Sequence, residues 1–122
     1  MKSYVYAIVL FVSILLPGCE DESHVGCDRA VFATVKDLTG LDGCGYVFEL
    51  SDGTRLEPQM LAYCGNPPLP SEITENPLYN FQFVDGKTVR INYEVVPDAM
   101  SICMAGKIVK ITCIEEVNAG EM

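Results

Sequence analysis

Hydrophobic and polar residues alternate with a period of two in four stretches of the chain. In "TVRINYEVV" (88–96), Val89, Ile91, Tyr93 and Val95 share one face, and Thr88, Arg90, Asn92 and Glu94 share the other. In "AVFATVKDL" (30–38), Val31, Ala33 and Val35 oppose Thr34 and Lys36. "GYVFEL" (45–50) sets Tyr46, Phe48 and Leu50 against Val47 and Glu49, and "KIVKITCIEE" (107–116) sets Val109, Ile111 and Cys113 against Lys110 and Thr112. Successive side chains of a strand point to opposite faces, so each stretch predicts a half-buried strand. "TRLEPQ" (54–59) and "YNFQFV" (79–84) are candidate edge strands.

The connections fit short reversals. "SDGT" and "VDGK" carry the Asp-Gly pair favoured in tight hairpins, "TGLDGCG" (39–45) has three glycines, and "MAGK" places a glycine before the last strand. Residues 97–102 leave room for one helical turn. The longest irregular stretch, residues 64–80, holds Pro67, Pro68, Pro70 and Pro77, which oppose a regular helix or a central strand. It is read as a stiffened surface crossover. The expectation is an all-β domain, a small antiparallel barrel of five or six strands.

One apolar run has no alternation. Residues 4–16, "YVYAIVLFVSILL", follow Lys2 and stop at Pro17-Gly18-Cys19. A membrane-spanning helix needs about 20 apolar residues, whereas a run this short at a chain start has the size and flanks of a signal-peptide core. Leu16-Pro17-Gly18-Cys19 resembles a bacterial lipobox, with Pro17 departing from the usual small or aliphatic residue. In such signals the cysteine sulfur takes a diacylglycerol, the peptide is cut before it, and the new amino group is acylated, commonly with palmitate. The resemblance implies a signal peptide at 1–18, a lipidated Cys19, and an acidic tether completing residues 19–26. A domain over 27–117 and a tail over 118–122 follow. A single acyl chain attaches reversibly; the several chains of a mature lipoprotein attach durably. Glu20-Asp21-Glu22 after the cysteine is similar to the surface-export signals of some outer-membrane lipoproteins. Outer-membrane location is therefore expected, with the outer face slightly favoured.

Without residues 1–18, which carry one lysine and no acid, seven basic and seventeen acidic residues remain, a formal charge of −10. That charge repels phosphate backbones, and the basic residues are scattered, so nucleic acid is not an expected partner.

Five cysteines remain after Cys19: Cys27, Cys44, Cys64, Cys103 and Cys113. An exported chain meets oxidising conditions, so disulfides are expected, with at least one thiol left over. No C-x-x-C occurs and His24 is the only histidine, so neither a metal nor a cofactor is expected. Two pairings stay open on strand direction. If the first and last strands lie antiparallel to each other, Cys27 joins Cys113 and Cys44 joins Cys103; if parallel, the partners exchange.

The segments "DGCG", "DGTRLEP", "DGKTV" and "SICMAGK" make residues 29–116 resemble small uncharacterised bacterial lipoproteins of OB-like β-barrel type. The resemblance implies an OB-like fold and a lipid-anchored habit, and brings no activity. In it "GCG" and "SICMAG" come together, which implies Cys44–Cys103. Cys27–Cys113 would then be the second bridge, with Cys113 read as pointing to the core beside Val109 and Ile111. Cys64 is left as the free thiol.

Catalysis is not expected. Nucleophile–base schemes need a positioned base, and His24 lies in the tether. Glu49, Asp52 and Glu57 are near neighbours in sequence but are read as a solvated acidic face. Asp37 and Asp42 lack the dense alternation of a calcium loop. Two non-catalytic classes remain. One is a binding module for a glycan, a peptide or a protein; the other is an acidic inhibitor of a basic envelope enzyme, whose encounter long-range attraction would speed. Tyr46, Phe48, Tyr63, Tyr79, Phe81, Phe83 and Tyr93 supply rings for a stacking surface, most of them expected in the core.

Overall fold

A computed structural model of the chain describes residues 27–120. The expected signal peptide and lipidated Cys19, the acidic tether and the last two residues lie outside the described residues.

Five strands form: β1 (Val31–Asp37), β2 (Tyr46–Leu50), β3 (Arg55–Pro58), β4 (Thr88–Val95) and β5 (Lys107–Glu116). They close into a barrel in the order β1-β2-β3-β5-β4, with β4 returning to β1. All pairs are antiparallel except β3 with β5, where Leu56, Glu57 and Pro58 lie opposite Lys107, Ile108 and Val109 in parallel. The fold is an all-β, OB-like barrel.

The alternating faces supply the core. Ala33, Val35, Phe48, Leu56, Val89, Ile91, Val109 and Ile111 are buried together inside the barrel, joined by Leu78 from the long crossover. Each large apolar side chain so buried contributes on the order of 1.5–3 kcal/mol. Each strand is thus paired on both sides over part of its length.

Several expectations are corrected. "TRLEPQ" supplies β3, a full barrel strand rather than an edge. "YNFQFV" is not a strand: Phe81 and Phe83 pack against the core without joining a ladder. They meet edge to face, with ring centroids 4.9 Å apart, and Phe83 stacks on Tyr46 at 5.2 Å. Alternation there marks a plug of aromatic side chains. No helix forms at 97–102. A single helical turn, Ser71–Thr74, instead starts directly after Pro70, which is compatible with a proline because a first turn has no intrahelical use for its N–H groups.

Cys113 does not point to the core. Asn92 pairs with Cys113 but Tyr93 pairs with Ile111, so Thr112 is an extra residue on β5. Such a bulge reverses the alternation beyond it. Ile114, not Cys113, packs against the core cluster.

Candidate functional site

The first and last strands are not neighbours. β4 lies between β1 and β5 and is antiparallel to both, so β1 and β5 run the same way. The bridges are nevertheless Cys27–Cys113 and Cys44–Cys103, so the rule linking parallel strands to exchanged partners fails. Through β4, Val31 of β1 is level with Ile114, near the far end of β5. The start of β5 is therefore distant from Cys27, while Cys113 is close to it.

The Cys27 bridge secures the approach to β1. The Cys27 N–H donates to Glu115 Oε1 at 2.9 Å. Asn92 Nδ2 donates to the Asp28 carbonyl at 2.7 Å, and Arg90 pairs with Glu115 at 3.5 Å. Cys64 is free and exposed.

The Cys44 bridge has a different setting. Cys44 lies in the β1–β2 loop (residues 38–45), and Cys103 in the β4–β5 loop (residues 96–106), with Cα atoms 4.6 Å apart. OB-type barrels present ligands on the face of strands 2 and 3, between these two loops. Here the chain's own β4–β5 loop folds over that face. Glu57 Oε1 accepts the N–H of Ala105 at 2.6 Å and of Gly106 at 3.1 Å. Gly106 is pressed so near β3 that a Cβ there would fall on the Arg55 carbonyl oxygen. Gly43, at φ +76°, sits beneath Ile102 with no room for a side chain. Val47, on the outward face of β2, is consequently buried.

Two features result. The outer side of the clamped loop carries Met100, Ile102 and Met104, which are 88%, 83% and 77% exposed. Beneath the loop is a cavity of about 330 Å³ lined by Tyr46, Val47, Glu57, Met60, Phe83 and Cys103. Glu57 is only 8% exposed.

The other candidates disperse. Glu49 pairs with Arg55 at 3.1 Å. Asp52 accepts the Thr54 N–H at 2.8 Å, and Thr54 holds its carboxyl below the usual carboxylate range. With Glu57 clamping a loop, the three carboxylates serve separate purposes. Asp37 accepts both the hydroxyl and the N–H of Thr39, at 2.6 and 2.9 Å, and these bonds lower its pKa. Among the described residues no group of three His, Cys, Asp or Glu side chains is arranged to hold a metal ion. Of the aromatic residues, Phe48 is fully buried, Tyr46, Phe81, Phe83 and Tyr93 pack against the core, and Tyr63 and Tyr79 are exposed.

Sequence reasoning missed the importance of Glu57 and of the exposed loop. The signal available was "MSICMAG" (100–106), where three large apolar residues and a cysteine occupy a loop. No protein-family model, curated protein or solved structure matches the chain.

Proposed function

We propose that the chain is a non-catalytic, lipid-anchored cell-envelope protein whose barrel is a protein-interaction module, with the β4–β5 loop as its contact surface. The observation that carries this reading is the presence of Met100, Ile102 and Met104, each more than three-quarters exposed, on a loop fixed to the barrel by a disulfide and a carboxylate. Exposed large apolar side chains grouped in one loop mark a contact surface. Fixing the loop beforehand reduces the entropy lost on binding. A glycan is less well matched, because Tyr46, Phe48 and Tyr93 of the strands pack into the barrel and leave Phe32 as their one exposed ring. Anchorage follows from the lipobox-like Leu16–Cys19 run, and outer-membrane location from the acidic residues after it.

The test is a photo-crosslinking residue placed at Ile102 of the full chain in intact envelopes, with a control at Ser51 on the β2–β3 turn. The reading expects one discrete protein adduct from position 102 that disappears when Met100 and Met104 are changed to serine. No adduct, or the same adduct from position 51, would sink it. The same fixed apolar loop on an acidic body also suits an inhibitor of a basic enzyme. That version expects the captured partner to be an enzyme whose activity falls on binding, with affinity dropping steeply as salt rises. Mass spectrometry of the mature N-terminus, showing acylated Cys19, checks the anchor.

A further inference from the structure

Glu57 makes no ion pair among the described residues. Among the described residues three ion pairs are formed, by other groups: Arg55 with Glu49, Lys87 with Glu116, and Arg90 with Glu115. No basic side chain among the described residues reaches Glu57. Its two hydrogen bonds, from Ala105 and Gly106, both fall on Oε1. Oε2 is not a buried atom lacking a partner, so it keeps some exposure, and the residue lines the cavity. A carboxylate removed from water is costly unless a cation or several donors offset it.

The walls beside that carboxylate suit the stem of a long side chain. Tyr46 and Phe83, stacked at 5.2 Å, both line the cavity. Met60 and Val47 supply apolar wall for an alkyl stem. The volume, about 330 Å³, is at the lower bound of small-ligand pockets, roughly 300–1,000 Å³. It has room for one long side chain. The cavity also adjoins the proposed contact surface, because Cys103 lines it while its neighbours Ile102 and Met104 project outward.

We propose that this cavity receives a lysine or arginine side chain of the partner protein, with Glu57 as its counter-ion and Tyr46, Val47, Met60 and Phe83 as walls for its alkyl stem. The inference rests on the interaction reading above, which supplies the source of the side chain. A partner would seat apolar residues against Met100, Ile102 and Met104 and insert one cationic residue beneath the loop. A charge-assisted hydrogen bond gives about 1.5–3 kcal/mol, so losing it should weaken binding by about tenfold or more.

The experiment titrates n-butylammonium, n-butylguanidinium and the neutral n-butanol into the full chain in detergent, at constant ionic strength, followed by NMR. The expected result is saturable shifts of Tyr46, Val47, Glu57 and Phe83 signals with one or both cations and none with the alcohol. Glu57→Gln should abolish those shifts or weaken binding at least about tenfold. Glutamine keeps a carbonyl to accept the Ala105 and Gly106 N–H groups, so the loop clamp is preserved. Should that variant fail to fold, the comparison of cation with alcohol on the unmodified chain still decides. Equal binding of all three probes, or none, would overturn the inference. Saturable binding of phosphoethanolamine without either butyl cation would assign the cavity to lipid headgroups and overturn it as well. Cation binding by a chain that yields no adduct at position 102 would leave the cation pocket standing while both the interaction reading and the partner's side chain as the source fail. An adduct at 102 that Glu57→Gln leaves unchanged, with no cation binding, would overturn the pocket alone.

Discussion

At Gly106 and Gly53 the same substitution meets different physics. A Cβ on Gly106 would strike the Arg55 backbone, which cannot move without disturbing β3, whereas Gly53, at φ +85°, has open space around it. Gly106→Ala should therefore destabilise by about 1–3 kcal/mol through overpacking and release the β4–β5 loop. Gly53→Ala carries only the penalty of a left-handed backbone, about 1–2 kcal/mol. Urea unfolding measures both, and protease cleavage within residues 96–106 should rise for Gly106→Ala alone. Equal loop cleavage in the two variants would contradict the close approach. Asp37 gives a second check at this scale. Hydrogen bonds from Thr39 favour its charged form, so its folded pKa lies below the ordinary value of 3.8. The stability it contributes is complete above the unfolded pKa and is lost as pH falls through the folded one. Its NMR titration midpoint should lie below 3.8 and rise when Thr39 becomes valine. An unchanged midpoint in Thr39→Val would remove the Thr39 hydroxyl as the main cause.

Among the elements, the two disulfides do different work despite similar chain separations of 86 and 59 residues. Loop-closure entropy would separate them by only about 0.3 kcal/mol, so removing either should destabilise by a similar amount, about 2–5 kcal/mol. The difference lies in what is released. Cys44→Ser with Cys103→Ser should leave the barrel ladders protected from hydrogen exchange while exchange in residues 96–106 accelerates. Cys27→Ser with Cys113→Ser should instead expose the approach to β1. Uniform loss of protection in both pairs would show that the bridges act only through the unfolded chain. The ladders themselves were legible in the sequence. β1, β2, β4 and the first half of β5 alternate because one face of each meets the same core. What lay beyond local pattern depends on distant chain. The bulge at Thr112 is set by pairing with β4, and Phe81 and Phe83 alternate like a strand but find a barrel end to fill. Glu57 reads as a solvated acid because the loop that buries it comes 48 residues later. Strand direction did not decide the cysteine pairing, since it says nothing of how far β5 extends past β1.

Over the whole molecule, anchor, charge and loop have to be compatible. An acidic barrel is repelled by anionic membrane surfaces, so a short tether from a lipidated Cys19 would hold it near a bilayer without drawing it flat. Its clamped loop would then face outward to a partner instead of into lipid. Cys64 reports which side of the membrane that is. It is the free thiol among the described residues and is exposed, while Cys27, Cys44, Cys103 and Cys113 are bridged. Acylation would remove Cys19 from thiol chemistry. A maleimide too large and polar to cross the outer membrane should thus attach once, at Cys64, on intact cells if the barrel is on the outer face. Cys64→Ser should abolish the label. Labelling that requires permeabilised cells would place the barrel on the periplasmic side and leave its fold and anchor untouched. A second label arising on the native chain in intact cells would mean either that Cys19 carries no lipid or that a bridge is open, and mapping the modified peptide distinguishes the two.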